Sequence, residues 1–190
     1  FMITVLGLGF VGLTTALGFS KKGHTVYGID NSSEKVNSLK KGIIPFHEPG
    51  LKEALVEGSG KGFIIDVSLQ EAVQKSDVIF ICVGTPEKAD GSADLHFLFT
   101  AIEEILQHAG GDHKILVIKS SVPPSTIANE IKPFVESFKL RQPVNIALAS
   151  NPEFLREGYA WDDFMYPDRI VIGLEDDQIK QVLLDIYQPF

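Results

Sequence analysis

Six residues near the amino terminus form a glycine-rich pattern whose spacing suits the binding of a pyrophosphate. The stretch Gly7-Leu8-Gly9-Phe10-Val11-Gly12 stands between a short apolar run and a segment with apolar residues at helical spacing. Gly7 permits a tight turn, a bare Gly9 lets the anion approach the backbone, and Gly12 lets the helix lie close to the strand. Free N–H groups at the start of the helix then face the phosphates. The pattern alone also fits an ordinary glycine turn.

A single acidic residue makes the dinucleotide interpretation more specific. Asp30 ends the next apolar run, close to the spacing of about 20 residues at which an acid binds the adenosine ribose. A carboxylate there repels a 2′-phosphate, so the sequence predicts NAD rather than NADP. Lys35 can reach the same ribose, or it is a solvated surface lysine. The simpler alternative for Asp30 is that it caps the helix that begins near Ser32.

Three further loops follow predicted strands, where ligands bind in open parallel sheets. They are Val83-Gly84-Thr85-Pro86, Lys119-Ser120-Ser121-Val122-Pro123 and Asn151-Pro152-Glu153-Phe154-Leu155-Arg156-Glu157. Their hydroxyl groups can bond ribose or phosphate, and their prolines restrict the turns. Each loop alone fits ordinary turn chemistry, but together they predict one crevice that all three face.

The third loop carries two carboxylates at a four-residue spacing. Glu153 and Glu157 project from the same side if a helix begins near Pro152, and Arg156 stands next to Glu157. Acids at a helix start also serve as ordinary capping groups. A carboxylate held in a partly dry crevice beside a nicotinamide can instead act as a general base.

The remaining reactive residue types indicate packing rather than chemistry. Cys82, the one cysteine, lies within the apolar run Ile79 to Val83, where burial raises a thiol pKa and hides the sulfur. Five histidines show no metal-ligand spacing. We therefore expect neither a cysteine nucleophile nor a metal site in this chain.

Alternating strand and helix patterns must position these loops. Strands are predicted at Met2 to Leu6, Thr25 to Ile29, Phe63 to Val67, Asp77 to Val83, Lys114 to Ile118, Val144 to Ala149 and Arg169 to Gly173. Helices are predicted at Phe10 to Lys22, Ser32 to Lys41, Leu51 to Glu57, Leu95 to His108, Thr126 to Phe138 and Asp177 to Tyr187. This order predicts an α/β fold with a doubly wound, mainly parallel, Rossmann-like sheet of six or seven strands. No repeat or linker divides residues 1–190, so we expect one domain.

Charge and composition exclude several classes of partner. The formal net charge of −8 over 190 residues, without a basic cluster, disfavours nucleic acid and anionic membranes. Apolar runs are strand-sized, well short of the roughly 20 residues of a membrane-spanning helix. The start of the chain shows no signal-peptide pattern, and the lone cysteine suits a reducing compartment. We therefore expect a cytoplasmic protein.

Seven ordered motifs carry a resemblance to a known family. They are GLGFVG at 7–12, Asp30 with Lys35, Glu48-Pro49-Gly50-Leu51, Val83-Gly84-Thr85-Pro86, Lys119-Ser120-Ser121-Val122-Pro123, Asn151 to Gly158, and Tyr166-Pro167-Asp168-Arg169. In order and approximate spacing they resemble the UDP-glucose/GDP-mannose dehydrogenases over nearly the whole chain. The sequence NPEFLREG at 151–158 is the most specific of the seven.

The resemblance implies oxidation of the C6 alcohol of a nucleotide sugar to a carboxylate by two NAD, through a cysteine thiohemiacetal and thioester. It implies that Glu153 is the acid/base for water attack and that Glu157 lies against cofactor and sugar. Ser121 stands where the family usually has threonine, and Gly84 where it often has a bulkier residue. The residues expected to contact NAD are Gly7, Gly9, Phe10, Val11, Gly12, Asp30, Lys35, Val83, Gly84, Thr85, Pro86, Ser120, Ser121 and Glu157. Those expected to contact the sugar substrate are Glu153, Phe154, Leu155, Arg156 and Glu157.

The resemblance also sets expectations for the whole enzyme. The family continues into a central helix with a catalytic lysine and asparagine and much of a homodimer interface, then into a domain with the nucleophilic cysteine. Cys82 does not match that motif, so residues 1–190 are expected to bind NAD without turning over. UDP-glucose is the expected substrate, with GDP-mannose or an N-acetylated UDP-sugar as alternatives. A stand-alone NAD-sensing or interaction module, and a hydroxyacid dehydrogenase, remain open.

Overall fold

One sheet runs through the structure, a computed structural model that describes residues 1–190. Its strands are β1 (Met2–Leu6), β2 (Thr25–Ile29), β3 (Phe63–Ile64), β4 (Val78–Ile81), β5 (His113–Ile118), β6 (Asn145–Ser150) and β7 (Gly173–Leu174). Their order across the sheet is β3-β2-β1-β4-β5-β6-β7. The pairs are parallel except for β6 with β7, which is antiparallel.

Helices cover both faces of the sheet. They are α1 (Phe10–Lys21), α2 (Ser33–Lys40), α3 (Leu51–Gly58), α4 (Leu69–Lys75), α5 (His96–Ala109), α6 (Lys132–Lys139), α7 (Ala160–Met165) and α8 (Lys180–Tyr187). Side chains of α1, α3, α7 and α8 share one core, and those of α4, α5 and α6 share the other. The doubly wound, mainly parallel fold is therefore confirmed, with seven strands. None of the helices is both long and apolar enough to span a bilayer.

Strand β4 shows why the central strands are continuously apolar. Val78 and Phe80 face the core that contains α1, while Ile79 and Ile81 face the core that contains α5. Both faces of a parallel sheet are covered by crossover helices, so successive side chains on opposite faces are all buried. β4 lies between β1 and β5. Its carboxyl end is therefore near the middle of the binding edge, the name used here for the end of the sheet where the parallel strands have their carboxyl ends.

Several predicted boundaries differ from the structure. The strand predicted at 63–67 pairs only over Phe63–Ile64, and the strand predicted at 169–173 is reduced to the antiparallel Gly173–Leu174. Both lie at the edges of the sheet, where there is one neighbour at most to extend the pairing. Helices α4 and α7 were not predicted. Ser68 accepts a hydrogen bond from the Glu71 N–H at 3.1 Å, so a Ser-x-x-Glu capping pattern does mark the start of α4.

The helix predicted from Thr126 to Phe138 consists of two parts. Residues Ile127–Ile131 form a wider π-helical turn, and α6 continues from Lys132. Pro133 has no N–H and therefore cannot donate to the carbonyl four residues earlier, a usual cause of local change in helix winding. The last predicted helix likewise begins with a 3₁₀ turn at Asp177–Ile179 before α8.

Candidate functional site

The glycine turn after β1 depends on backbone surfaces that meet closely. Gly7 has a φ of 98°, and a Cβ there would lie 2.8 Å from the carbonyl carbon of Cys82. A Cβ on Gly12 would lie 1.7 Å from the carbonyl oxygen of Gly7. A Cβ on Gly9 would meet no atom within 4 Å. Gly7 and Gly12 are thus required by the fold, while the space above Gly9 is open.

The amino terminus of α1 fits an anionic ligand. Gly9 caps the helix without a side-chain hydrogen bond, and no acidic residue lies in the first turn. The first N–H groups of a helix have no partner within it, and they carry its positive dipole end. With Phe10 and Val11 partly exposed beside the open space at Gly9, these residues fit the pyrophosphate of a dinucleotide.

Asp30 binds to the glycine turn itself. Its Oδ2 accepts hydrogen bonds from the Leu8 N–H at 2.8 Å and the Lys35 Nζ at 3.1 Å, and its Oδ1 accepts the Ser32 N–H at 2.8 Å. Each carboxylate oxygen has two acceptor positions, so one position on Oδ1 remains for a ribose hydroxyl. Burial by itself raises the pKa of Asp30, but these hydrogen bonds together lower it below its ordinary value.

A cleft for the adenosine end opens next to this carboxylate. Its volume is about 300 Å³, and its lining residues are Gly28, Ile29, Asp30, Val36, Lys40, Ile65, Asp66, Val67 and Ser68. Lys35 is bonded to Asp30 at the start of α2, so the residues predicted to bind one ribose do lie together. Their role toward the cofactor stays a prediction.

The loops after β4 and β5 are bonded to each other. Ser120 Oγ donates to the Val83 carbonyl at 2.7 Å, and Thr85 Oγ1 donates to the Ser121 carbonyl at 2.7 Å. Gly84, Pro86 and Ser121 remain exposed. The structure therefore brings two of the three predicted loops into one continuous surface, next to the glycine turn.

Residues 151–158, called the acid loop here because they contain Glu153 and Glu157, differ from the expected arrangement. No helix begins near Pro152, and the first helical residue after β6 is Ala160. Glu153 Oε2 instead accepts the N–H of Leu155 at 2.6 Å. This local bond satisfies backbone that a helix would otherwise use. Glu153 is half-buried and Glu157 is exposed, so the two carboxylates do not project from one helix face.

A buried polar cluster, absent from the sequence predictions, lies beneath the acid loop. Lys119 is only 5% exposed, and its Nζ donates to Asn151 Oδ1 at 3.0 Å. Tyr187 donates its hydroxyl to the same oxygen, and Asn151 Nδ2 donates to the Val171 carbonyl at 2.9 Å. Burial lowers the pKa of Lys119, although nearby Cys82 and Glu153 partly oppose the change. No carboxylate forms an ion pair with this ammonium.

Two clefts meet at the acid loop. One has a volume of about 480 Å³ and opens beside the loop after β5, and the other has a volume of about 820 Å³ and opens toward α7. Lys119, Pro152 and Glu153 line both of them. Glu153 therefore borders two spaces of the size that small-molecule ligands occupy.

Of the five residues predicted to contact substrate, Glu153, Phe154, Leu155 and Arg156 line the larger cleft, whereas Glu157 lines neither cleft. Arg156 makes a two-pronged ion pair with Asp163, with Nε–Oδ2 at 3.0 Å and Nη2–Oδ1 at 2.9 Å. The ring of Phe154 is 55% exposed and lies 5.1 Å from the Arg169 guanidinium carbon. The structure thus adds Asp163 and Arg169 to the predicted set.

The glycine turn and the acid loop lie on the same edge of the sheet. Both follow carboxyl ends of parallel strands, with β4 and β5 between β1 and β6. Three strand spacings of about 4.8 Å separate them by about 14 Å. An extended dinucleotide bound at Gly9 can therefore reach Glu153 by crossing the loops at 83–86 and 119–121.

Cys82 lies at this edge but is not set up as a nucleophile. Burial raises the pKa of its thiol to about 12, which the positive charge of Lys119 only partly offsets. A thiol at that pKa is protonated at neutral pH. No group of three or more His, Cys, Asp or Glu side chains lies close enough to hold a metal ion.

Comparison with known proteins gives a consistent set of matches. A family model described as the NAD binding domain of the UDP-glucose/GDP-mannose dehydrogenase family matches residues 1–190. The UDP-glucose 6-dehydrogenase YwqF of Bacillus subtilis (strain 168) is 41% identical over 189 residues, which are 99% of this chain and 42% of that protein. The chain thus spans less than half the length of this relative.

Two solved structures are also similar. A ternary complex of a GDP-mannose dehydrogenase from Pseudomonas aeruginosa superposes with a TM-score of 0.92 at 37% identity, over 99% of this chain and 44% of that one. A UDP-glucose dehydrogenase from the archaeon Pyrobaculum islandicum superposes with a TM-score of 0.90 at 42% identity, over 98% and 43%. Shape alone does not separate these two substrate classes.

Proposed function

Because the chain belongs to the UDP-glucose/GDP-mannose dehydrogenase family, we propose that residues 1–190 are the NAD-binding domain of a nucleotide-sugar 6-dehydrogenase. We propose UDP-glucose as the substrate and UDP-glucuronate as the product, with two NAD consumed in the complete enzyme. One observation carries the proposal. A single sheet edge presents a bare glycine turn, two hydroxyl-bearing loops and the half-buried Glu153, in that order, over about 14 Å.

The cofactor region supplies binding and orientation. Bound NAD would supply the acceptor for hydride from the alcohol carbon of the sugar. The N–H groups at the start of α1 would hold the pyrophosphate, and the free position on Asp30 Oδ1 would accept a hydrogen bond from a ribose hydroxyl. Thr85 and Ser121 fix the path between the two ends of the sheet, because their loops are bonded to each other at 2.7 Å.

Glu153 is the proposed acid/base. Its Oε2 is occupied by the Leu155 N–H at 2.6 Å, so the side chain is held in one orientation while Oε1 remains available. In the complete enzyme, Oε1 would take the proton of the water that attacks the thioester carbonyl, and it would pass that proton to the cysteine sulfur as the C–S bond breaks. Its position between the two clefts lets it reach a ligand on either side.

Residues 1–190 alone are proposed to bind cofactor without oxidising sugar. The family resemblance requires a nucleophilic cysteine, and Cys82 has a pKa raised to about 12 by burial. The chain spans 42% of the YwqF sequence, so the activity of a whole enzyme rests on residues outside this range. A homodimer is proposed for the complete enzyme on the family resemblance, and a cytoplasmic location on the lone cysteine, which suits a reducing compartment.

Calorimetry tests the cofactor assignment directly. The 190-residue chain is expected to bind NAD and to bind NADP at least about tenfold more weakly, because a carboxylate repels the 2′-phosphate. Asp30→Ala should weaken NAD binding by at least about tenfold. Asp112→Ala is the matched control, since Asp112 is an exposed carboxylate just before β5, at the end of the sheet opposite the carboxyl ends of the parallel strands. Unchanged NAD affinity in Asp30→Ala would overturn the assignment.

Substrate choice is tested in the complete protein that carries this chain. NADH formation is measured with UDP-glucose, GDP-mannose and a UDP-N-acetylhexosamine, and UDP-glucose is expected to give the highest kcat/KM. A higher value with either of the others assigns that sugar instead. Binding of NAD without oxidation of any of the three sugars would indicate a cofactor-sensing module. Sustained turnover by residues 1–190 alone would contradict the proposed need for a further cysteine.

A further inference from the structure

A buried carboxylate outside the predicted site holds the far end of the acid loop. Glu48 is 6% exposed and lies in the irregular segment 43–50, between α2 and α3. Its Oε1 accepts the N–H of Gly158 at 2.7 Å, and its Oε2 accepts the N–H of Ala160 at 3.1 Å. Gly158 is the last residue of the acid loop, and Ala160 is the first residue of α7.

This carboxylate has no cation of its own. None of the ion pairs in the structure includes Glu48. Burial of a charge is costly unless hydrogen bonds compensate for it, and here both oxygens are bonded to backbone donors. Charged acceptors form stronger bonds to N–H groups than neutral acceptors do. The N–H groups of Gly158 and Ala160 are therefore the groups that stabilise the negative charge of Glu48.

A second contact fixes the same two segments together. Gly50 has a φ of 93°, and a Cβ there would lie 2.5 Å from Cδ1 of Trp161 in α7. Segment 43–50 thus approaches α7 through a glycine as well as through Glu48. Two independent contacts over more than 100 residues of sequence separation leave little freedom in where α7 begins.

The acid loop is consequently attached at both of its ends. At its start, Asn151 is bonded to Lys119 and to the Val171 carbonyl. At its end, Gly158 is bonded to Glu48. Between these ends the loop has no helical or strand hydrogen bonds. Within the loop, Arg156 also donates its N–H and guanidinium to Asp163 of α7. The direction of Glu153 therefore depends on how firmly the loop start and α7 are held.

We propose that Glu48 is a positioning residue for the acid loop: its carboxylate fixes the loop end so that Glu153 stays between the two clefts. This proposal rests on the proposed function. It assigns a task to the Glu48-Pro49-Gly50-Leu51 motif, which binds neither ligand in the proposed mechanism. Misplacement of a reacting group by about 1 Å can cost about 100-fold in rate, so such a residue can control turnover without touching substrate.

Glu48→Gln is the main test, because it keeps the shape of the side chain and removes the charge. The amide NH₂ must face one of the two N–H donors, so at least one bond is lost. In the 190-residue chain, hydrogen–deuterium exchange at Gly158 and Ala160 is expected to become about 10- to 100-fold faster. Glu53→Gln, an exposed carboxylate in the first turn of α3, is the matched control and should change neither amide.

Activity of the complete protein supplies the second measurement. Glu48→Gln should lower kcat by about tenfold or more. The dissociation constant of NAD should change by less than about twofold, because the proposed contacts to pyrophosphate and ribose lie in the glycine turn, at the start of α1 and at Asp30. Glu48→Asp keeps the charge and should retain part of the slow amide exchange and part of kcat. It replaces Glu48→Gln if that variant does not fold.

The outcomes separate this proposal from the proposed function. Unchanged exchange at Gly158 and Ala160 in Glu48→Gln overturns the positioning role, whatever the enzyme does. Faster exchange with an unchanged kcat overturns it as well, since the loop end would then not affect the reaction. Absence of NAD binding or of sugar oxidation in the unmodified protein contradicts the proposed function instead, and the exchange measurement still stands.

Discussion

The two ends of the binding edge are built in different ways. At the cofactor end, β1, α1 and β2 are regular elements, and the glycine turn is shaped by backbone in contact with backbone, as Gly12 against Gly7 illustrates. At the other end, the acid loop has no regular structure. It is held by side chains bonded to backbone, chiefly Glu48 to Gly158 and Asn151 to Val171.

This difference determines which substitutions each end tolerates. Backbone packing leaves no room for an added Cβ but is indifferent to distant side chains. A loop held by side-chain hydrogen bonds accepts small changes in its own residues but fails when a distant partner is removed. Regular elements carry the proposed cofactor contacts, while the proposed acid/base, Glu153, lies on the loop without regular structure.

The largest effect is expected from Gly12→Ala. The added Cβ would lie 1.7 Å from the Gly7 carbonyl, so α1 must move away from β1, at a cost of about 3 kcal/mol or more in unfolding free energy. NAD binding should be lost. Gly9→Ala is the matched control, because a Cβ there meets nothing within 4 Å. It should unfold at nearly the same denaturant concentration and still bind NAD at least about tenfold more weakly.

Urea unfolding and calorimetry decide between the two glycines. Equal stability of Gly12→Ala and the unmodified chain would contradict backbone packing as the origin of the turn. Full NAD affinity in Gly9→Ala would show that the open space is not where the pyrophosphate lies.

The next largest effect is expected from Asn151→Leu. The substitution removes the one hydrogen-bond acceptor of the buried Lys119 ammonium, and an unpaired buried charge costs about 2–4 kcal/mol. Lys119→Met removes the charge itself and should cost less. Urea unfolding measures both variants. A larger loss in Lys119→Met than in Asn151→Leu would contradict the view that the ammonium depends on this amide.

The same lysine predicts a pH dependence. Burial lowers its pKa in the folded chain below the ordinary 10.5, so the unfolded chain binds more protons between the two values. Unfolding free energy should therefore rise as pH increases through that interval. The rise should be absent in Lys119→Met. Parallel stability curves for the two proteins between neutral pH and pH 10 would contradict this prediction.

Asp30 predicts a pH dependence of the same sign, but in the acid range. Its folded-state pKa lies below the ordinary 3.8 despite burial, because three donors bond its oxygens. Its contribution to stability is present above that value and is lost as pH falls through the lower folded pKa. Asp30→Asn should flatten the acid limb of the stability curve. An unchanged acid limb, followed by circular dichroism, would show that other carboxylates dominate it.

The smallest effect is expected from Thr85→Val. It removes the 2.7 Å hydrogen bond between the loops after β4 and β5 at nearly constant volume. The bond lies at the surface, so the loss should be about 1 kcal/mol or less. NAD affinity should fall only a few-fold, as measured by calorimetry. A loss as large as that of Gly12→Ala would erase the proposed contrast between backbone and side-chain support.

The sequence predicts most of the sheet because local patterns determine it. Strands such as β4 are continuously apolar and buried on both faces, and α5 carries apolar residues at helical spacing. The edge strands were predicted too long, since pairing there depends on neighbours rather than composition. Helix α4 was missed although its Ser68 cap is visible in the sequence.

The residues of the candidate site also divide into those that a local sequence pattern predicts and those that depend on distant contacts. The glycine turn and Asp30 follow a fixed spacing, and the structure places them together as predicted. The helix that would place Glu153 and Glu157 on one face does not form at Pro152, since the Glu153 carboxylate accepts the Leu155 N–H locally. The partnership of Glu48 with Gly158 joins residues 110 positions apart, and no local pattern signals it. Lys119 was seen only as part of a turn, since its burial depends on Asn151 and Tyr187.

The contact between Gly7 and Cys82 also has a consequence for biosynthesis. β1 lies between β2 and β4, and Leu6 pairs with Ile81. A nascent chain that has left the ribosome only as far as α3 already contains every glycine of the turn, but it lacks the strand against which Gly7 packs. The turn geometry proposed to bind phosphate therefore forms only after translation has passed β4, and a chaperone bound to the early βαβ unit would hold an incompletely packed turn.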